Sequence, residues 1–378
     1  MPSSTSSSER PSLATAALPE THAPEVIEAP PYVRPVPALD FRSAGLVAVL
    51  LFSALLGGWE WYHRRIGLQP STVNSDVLWA WQRARIDNGE GDATVLIGAS
   101  RMLFNVQLDE WEAADGRRPI QLAMEGTSPM RAMEDLANDS SFTGRLLVGV
   151  APDVFFSGFE YRAPALSNWR DVTLTQHGGQ WLSMHLLEPV WAFLDPDFAL
   201  FVVLARQAWP ARAGVHSRME VRKLSVQEPD RNTEMWQRLE TDTLYRNHAR
   251  DVWAQDFSLP PGVTQAMMDR SSAKEIDRAA AAVRKLQARG VPVVFVRFPS
   301  NGGYLPVEER FYPRARSWDV LLQRTGATGI HFADHPELQG YDLPEWSHMS
   351  ASEARRFTTA LHGVVARVAP RIVRTADP

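Results

Sequence analysis

Five short apolar runs, spaced among helix-period segments, constrain the fold more than any other feature of this sequence. They are Thr94–Ala99 (TVLIGA), Pro119–Met124 (PIQLAM), Arg145–Val150 (RLLVGV), Val291–Phe298 (VPVVFVRF) and Gly329–Ala333 (GIHFA). Each is continuously apolar rather than alternating, the pattern of strands buried on both faces. Helical periodicity falls roughly at 75–88, 107–115, 129–138, 272–289, 307–325 and 351–368. Two of these helices have clear end signals. Ser272 precedes a run closed by Gly290, and Ser350-x-x-Glu353 is a capping box. Strand–helix alternation predicts an α/β fold with a parallel sheet covered by helices on both faces.

The segment before the first strand reads differently. Residues 1–42 are rich in proline and serine and lack apolar periodicity, so a disordered tail is expected. Residues 43–59, SAGLVAVLLFSALLGGW, carry no charge between Arg42 and Glu60. At 1.5 Å per residue the stretch spans about 25 Å, the short end of a membrane helix. Trp59, Trp61 and Tyr62 follow where an aromatic belt would lie. A single-pass anchor over 43–62 is expected; the alternative is a buried helix of a soluble domain. No small-x-small cleavage site follows the apolar run before Glu60, which argues against a removable signal peptide. Arg34 and Arg42 on one side balance Arg64 and Arg65 on the other, so charge does not fix orientation.

Composition excludes several functions. The chain of 378 residues has a net charge of −5, against general nucleic-acid binding. It has no cysteine, which removes disulfides, thiolate zinc sites, iron–sulfur clusters and cysteine nucleophiles. No P-loop or G-x-G-x-x-G occurs, and no cofactor is expected. His331 and His335 lie on a strand and turn rather than one helix face, so no metal site is expected. Residues 157–271 break the βα rhythm and read as a mostly helical insertion, rich in Trp and Pro, within a domain spanning about 70–370. Its apolar run Phe198–Ala205 is too short to cross a bilayer. Packing within the domain is the expectation there, with membrane-surface contact or a cap over a site as alternatives.

Ligands of open parallel sheets bind beyond the carboxyl ends of the strands. Gly98-Ala99-Ser100-Arg101 follows the first strand. Ser100 at a helix N-terminus suits a nucleophile whose own N–H helps bind an oxyanion; it equally suits a plain N-cap. Gly126, after the second strand, can bring its N–H close to a substrate, and Thr127 or Ser128 can cap the helix that Pro129 begins. Asp153 follows the third strand and reads first as a turn residue. Near the C-terminus, Glu345-Trp346-Ser347-His348 places a carboxylate three residues before a histidine. Such a carboxylate can hold Nδ1 and leave Nε2 as a general base, with Asp342 as an alternative acid.

This order of blocks resembles the SGNH/GDSL hydrolase superfamily, and within it the membrane-anchored polysaccharide O-acetyltransferase-like branch. The likeness rests on IGASRMLF (97–104), LAMEGTSP (122–129) and EWSHMSASEARRFT (345–358). It implies a three-layer, flavodoxin-like α/β sandwich with a five-stranded parallel sheet. Ser100 would be the nucleophile, His348 the base and Glu345 the acid, and the N–H groups of Ser100 and Gly126 the oxyanion hole. It also implies a serine esterase or O-acetyltransferase acting on an envelope or exported carbohydrate. That domain would be periplasmic and anchored in a bacterial inner membrane, and a multi-span acyl-transfer membrane protein is a possible partner. The sequence departs from the pattern in reading GAS for GDS, Glu345 for aspartate, and VAPDVFF where the third block supplies an asparagine. Asn105 and Asn301 are conceivable substitutes. A fold-retaining, non-catalytic binding or assembly protein of an envelope polysaccharide system is the alternative.

Overall fold

The computed structural model describes residues 40–205 and 219–373. Most of the 1–42 tail and residues 206–218 of the insertion lie outside the described residues. The chain divides into two compact units, Met1–Ala54 and Leu55–Pro378. One helix, Phe41–Arg65, carries the 43–59 stretch. Its most apolar window has a mean hydropathy of 1.7 and none of that window is buried, so it is long and apolar enough to cross a membrane.

Among the described residues the larger unit holds seven strands: β1 (Thr94–Ile97), β2 (Ile120–Gln121), β3 (Arg145–Val150), β4 (Ser225–Gln227), β5 (Thr233–Met235), β6 (Val293–Arg297) and β7 (Thr328–His331). Five of them form one sheet in the order β2-β1-β3-β6-β7, and every pairing in it is parallel. The two-residue side-chain period divides their residues between two cores. Val95, Ile97, Leu146, Val148, Val293 and Phe295 face helices Asp76–Arg85, Met130–Asn138, Gln265–Ala288 and Trp318–Thr325. Leu96, Leu147, Val294, Val296 and Ile330 face helices Ser100–Asn105, Leu108–Asp115 and Ala351–Val368. All of these strand residues are buried, which is why the runs are apolar without alternation.

Several expectations shift in detail. The second strand shortens from Pro119–Met124 to two residues. Leu122 and Met124 still donate to the carbonyls of Leu96 and Gly98, but the carbonyls of Gln121 and Ala123 accept from the buried Arg231 guanidinium. The helix expected at 307–325 is two helices, Tyr304–Phe311 and Trp318–Thr325, parted at Pro313, which has no N–H to continue the first. Helix Gln265–Ala288 starts a full two turns before Ser272, capped by the Thr264 side chain on the Met267 N–H. Helix Ala351–Val368 begins at the Ser350 cap as expected. The insertion is helical over much of its described length but also contains the antiparallel β4–β5 hairpin. In the run 198–205 the expected packing holds for Phe198, half-buried against Leu68 and Trp236, but not for Leu200, Phe201 and Leu204, which are exposed.

Candidate functional site

The strand order turns back between β1 and β3, and the crevice beyond their carboxyl ends is where such sheets bind ligands. Gly98 and Gly149 meet there. A Cβ on Gly98 would sit 2.7 Å from the Met102 Cβ and 3.2 Å from the Gly149 Cα, so the glycine is required by close approach rather than by turn geometry. Beyond it, Ala99 occupies the N-cap position and Ser100 is the first helical residue, with no side-chain cap bond. The N-cap reading of Ser100 is thereby corrected. Its N–H, in the first turn, has no intrahelical acceptor.

Glu345 and His348 form a compact pair. Oε1 of Glu345 lies 2.9 Å from Nδ1 of His348 and also accepts the His348 backbone N–H at 2.5 Å. A carboxylate can only accept, so Nδ1 carries the proton and Nε2 is the basic nitrogen. One oxygen serving both the ring and the backbone three residues on explains the Glu-x-x-His spacing. The second oxygen, Oε2, accepts from Nε1 of Trp253 at 2.5 Å. Burial by itself would raise the Glu345 carboxyl; His348 and the hydrogen bonds from His348 and Trp253 outweigh it and hold the group below its ordinary value. Asp342 is exposed and its backbone carbonyl, not its carboxylate, is engaged, by the Ser350 N–H. The structure therefore joins Glu345, and not Asp342, to His348.

The Ser100 helix lies along the histidine loop. Arg101 Nε donates to Ser347 Oγ at 3.2 Å, and Met349 N–H donates to Asn105 Oδ1 at 3.0 Å. Between them the Phe104 ring stacks on the His348 imidazole, centroids 4.3 Å apart. Residues four apart share a helix face, so Ser100 lies one turn from the residue that packs on His348 and on the same side. Nε2 of His348 is buried and has no hydrogen-bond partner; the Ser100 hydroxyl does not close onto it.

Gly126 has φ +57°, a conformation that side chains rarely adopt. The loop is pinned beside it: Ser128 N–H donates to the Phe159 carbonyl, and Arg162 N–H donates to Thr127 Oγ1. The carboxyl end of β3 carries Asp153, which is more than a turn residue. Its Oδ2 accepts from the Tyr304 hydroxyl at 2.9 Å, and its Oδ1 is buried without a partner. Burial pushes its carboxyl above the ordinary value, against the opposing pull of Arg101. Asn105 spends its Oδ1 on Met349, and Asn301 donates its backbone N–H to the Trp346 carbonyl.

A buried ionic cluster that no motif marked supports this region. Glu308 pairs with Arg101 and with Arg297, both at 2.7 Å, and accepts from Ser300 Oγ at 2.5 Å. The Arg101 guanidinium also lies over the Tyr304 ring. Beside this cluster is a cavity of about 170 Å³, lined in part by Arg297, Glu308, Tyr312 and His331. His331 Nδ1 accepts from the Ala333 N–H. Among the described residues no group of three or more acidic or histidine side chains is arranged to hold a metal ion. Trp253 and Arg250, which donates to the Pro344 carbonyl, both come from the insertion, where no motif marked them.

No family model matches the chain, and no curated protein matches it.

Proposed function

We propose that this protein is a membrane-anchored serine esterase or O-acyltransferase of the SGNH type, working through Ser100, His348 and Glu345. The observation that carries the reading is the Glu345–His348 pair, with Nδ1 bound and Nε2 unpartnered, packed against the helix that Ser100 begins. In the reaction Ser100 Oγ attacks the acyl carbonyl and its proton passes to Nε2 of His348. Glu345 keeps the ring in the correct tautomer and stabilises the imidazolium. The N–H groups of Ser100 and Gly126 take up the charge on the carbonyl oxygen. The intermediate expels the leaving alkoxide, which takes the proton back from His348, and an ester on Ser100 remains. Water or an acceptor hydroxyl then gives its proton to His348 and attacks that ester, and the departing Ser100 Oγ takes the proton back from His348. The carbohydrate acceptor, the extracytoplasmic side and an acyl-donating membrane partner rest on the family likeness.

A non-catalytic reading of the same fold is favoured by one specific observation. Asp153, engaged by Tyr304, stands where the likeness calls for an asparagine donor. Labelling of the purified protein with a fluorophosphonate separates the two. Labelling that is lost in Ser100→Ala supports the enzyme; labelling that is absent, or indifferent to the substitution, leaves the binding protein.

A further inference from the structure

From Val172 to Ala205 the chain contains three charged residues, all acidic: Glu188, Asp195 and Asp197. None is exposed. Glu188 accepts from the Val73 N–H and Ser183 Oγ, and Asp195 is paired with Lys223. What faces outward is uncharged and rich in large apolar side chains, with Thr175, Gln176 and His185 exposed among them. On helix Leu174–Leu182 and the wider turn Ser183–Leu187, the exposed side chains include Leu174, at 90% exposure, then Trp181, Leu182 and Leu186. The polar Gln180 points inward, where Ser75 Oγ donates to it. Surface helices of water-soluble domains show the opposite arrangement. Phe201 on helix Leu200–Ala205 is 81% exposed.

This apolar face is tied to the last turns of the Phe41–Arg65 helix. Glu60 accepts the backbone N–H groups of Ala192 and Phe193 at 3.1 and 3.2 Å. Arg64 donates to the Val190 carbonyl at 3.0 Å. Phe198 packs with Leu68 and Trp236 just beyond that helix. The helix end itself presents Trp59, Trp61 and Tyr62, exposed, followed by Arg64 and Arg65, the residue types that sit at lipid headgroups.

We infer that the face formed by Leu174–Val190 and Leu200–Leu204 lies on the lipid bilayer surface beside the anchor. The inference rests on the anchoring reading: with the uncharged part of the helix in the hydrocarbon, Trp59–Arg65 lies at the headgroups, and the segments hydrogen-bonded to Glu60 and Arg64 lie there too. A lipid surface is the occupant because the patch lacks exposed charge and its segments are hydrogen-bonded, through Glu60 and Arg64, to the end of an apolar helix. Exposed apolar surface of this kind is otherwise a liability for a water-soluble face.

The absence of cysteine makes the test direct. Full-length variants Leu50→Cys, Leu186→Cys, Phe201→Cys and Arg324→Cys are spin-labelled and reconstituted into phosphatidylcholine–phosphatidylglycerol vesicles. Arg324 is the aqueous control, exposed on the helix preceding β7 at the far edge of the sheet. Collision with oxygen and with a water-soluble nickel complex is then measured. The expected result is several-fold lower nickel access at 186 and 201 than at 324, with oxygen access raised. Equal nickel access at 186, 201 and 324, with position 50 shielded and oxygen-rich, overturns this inference and leaves the anchor standing. Shielding of 186 and 201 from both probes marks a second protein copy as the occupant and also overturns it. Nickel access at position 50 overturns the anchor and this inference together.

Discussion

The Phe104 ring lies against the His348 imidazole, centroids 4.3 Å apart and planes 29° from parallel. The contact joins the helix that begins at Ser100 to the loop that carries the base, and it fixes one face of the imidazole. Phe104→Leu keeps most of the volume and loses the aromatic face. It should cost under about 1.5 kcal/mol in stability and slow fluorophosphonate labelling by about tenfold, through a looser imidazole. Urea denaturation and labelling kinetics on the same preparation separate the two effects.

Glu345→Gln should slow labelling by up to about 10⁴-fold, because an amide can present its N–H to Nδ1 and favour the wrong tautomer. Asp342→Asn should leave the rate unchanged, since Asp342 is exposed and makes no bond to the ring. A loss of rate in Asp342→Asn with none in Glu345→Gln would reverse the assignment of the acid.

Acid stability should fall in two windows. Burial, helped by Arg297 and Arg314, pushes His331 down to about 4. Its unfolded value is near 6.5, so the unfolded state binds the proton first as pH falls. Stability therefore declines from about pH 6.5 and stops declining below about 4. The effect should be about 1 kcal/mol after allowing for solvent screening of a partly exposed group. His331→Asn should flatten this decline in urea titrations between pH 7 and 5. Glu345 has the opposite chemistry. Its depressed carboxyl contributes stability above its ordinary value of 4.5, lost as pH falls through the lower folded value.

Arg101→Met removes one of two cations from a buried carboxylate and should destabilise the fold by about 3 kcal/mol. Glu308 keeps Arg297 and Ser300, which holds the loss near the lower end of the range for broken buried pairs. Arg101→Met combined with Glu308→Met should lose less than the sum of the single losses, because their shared pair is lost only once and the double change strips Glu308 from one buried cation, Arg297, where Glu308→Met alone strips it from two. Additive losses in chemical denaturation would show that Arg101 and Glu308 are not coupled.

Gly302→Ala should cost about 1–3 kcal/mol. Gly302 has φ +52°, and a Cβ there would overlap the Trp346 indole, one residue after Glu345. Trp346 is itself at φ +77° and stacks on Phe257. The variant should therefore lower the melting temperature and also slow labelling, by shifting the loop that carries Glu345 and His348. A variant of normal stability and normal labelling rate would dissociate the turn from the site.

The amino-acid order alone determined the α/β class, all five sheet strands to within a few residues, the final helix and its cap, and the apolar N-terminal helix. These follow from local rules, since hydrophobic period, caps and apolar length are written along the chain itself. Glu345 as the partner of His348 was legible for the same reason, because three residues suffice to bring one carboxylate oxygen to both the ring and the backbone. Tertiary structure alone decided the rest. Arg101 reaches Glu308 and Ser347, Phe104 reaches His348, and Trp253 reaches Glu345 across separations of about 90 to 250 residues. No periodicity encodes such pairings. They exist because the parallel sheet gathers the carboxyl ends of β1, β3 and β6 on one edge, and burial there demands that every charge find a partner. The outward-facing apolar insertion was hidden for a related reason, since composition reveals an apolar run but only the packed fold reveals which way it faces.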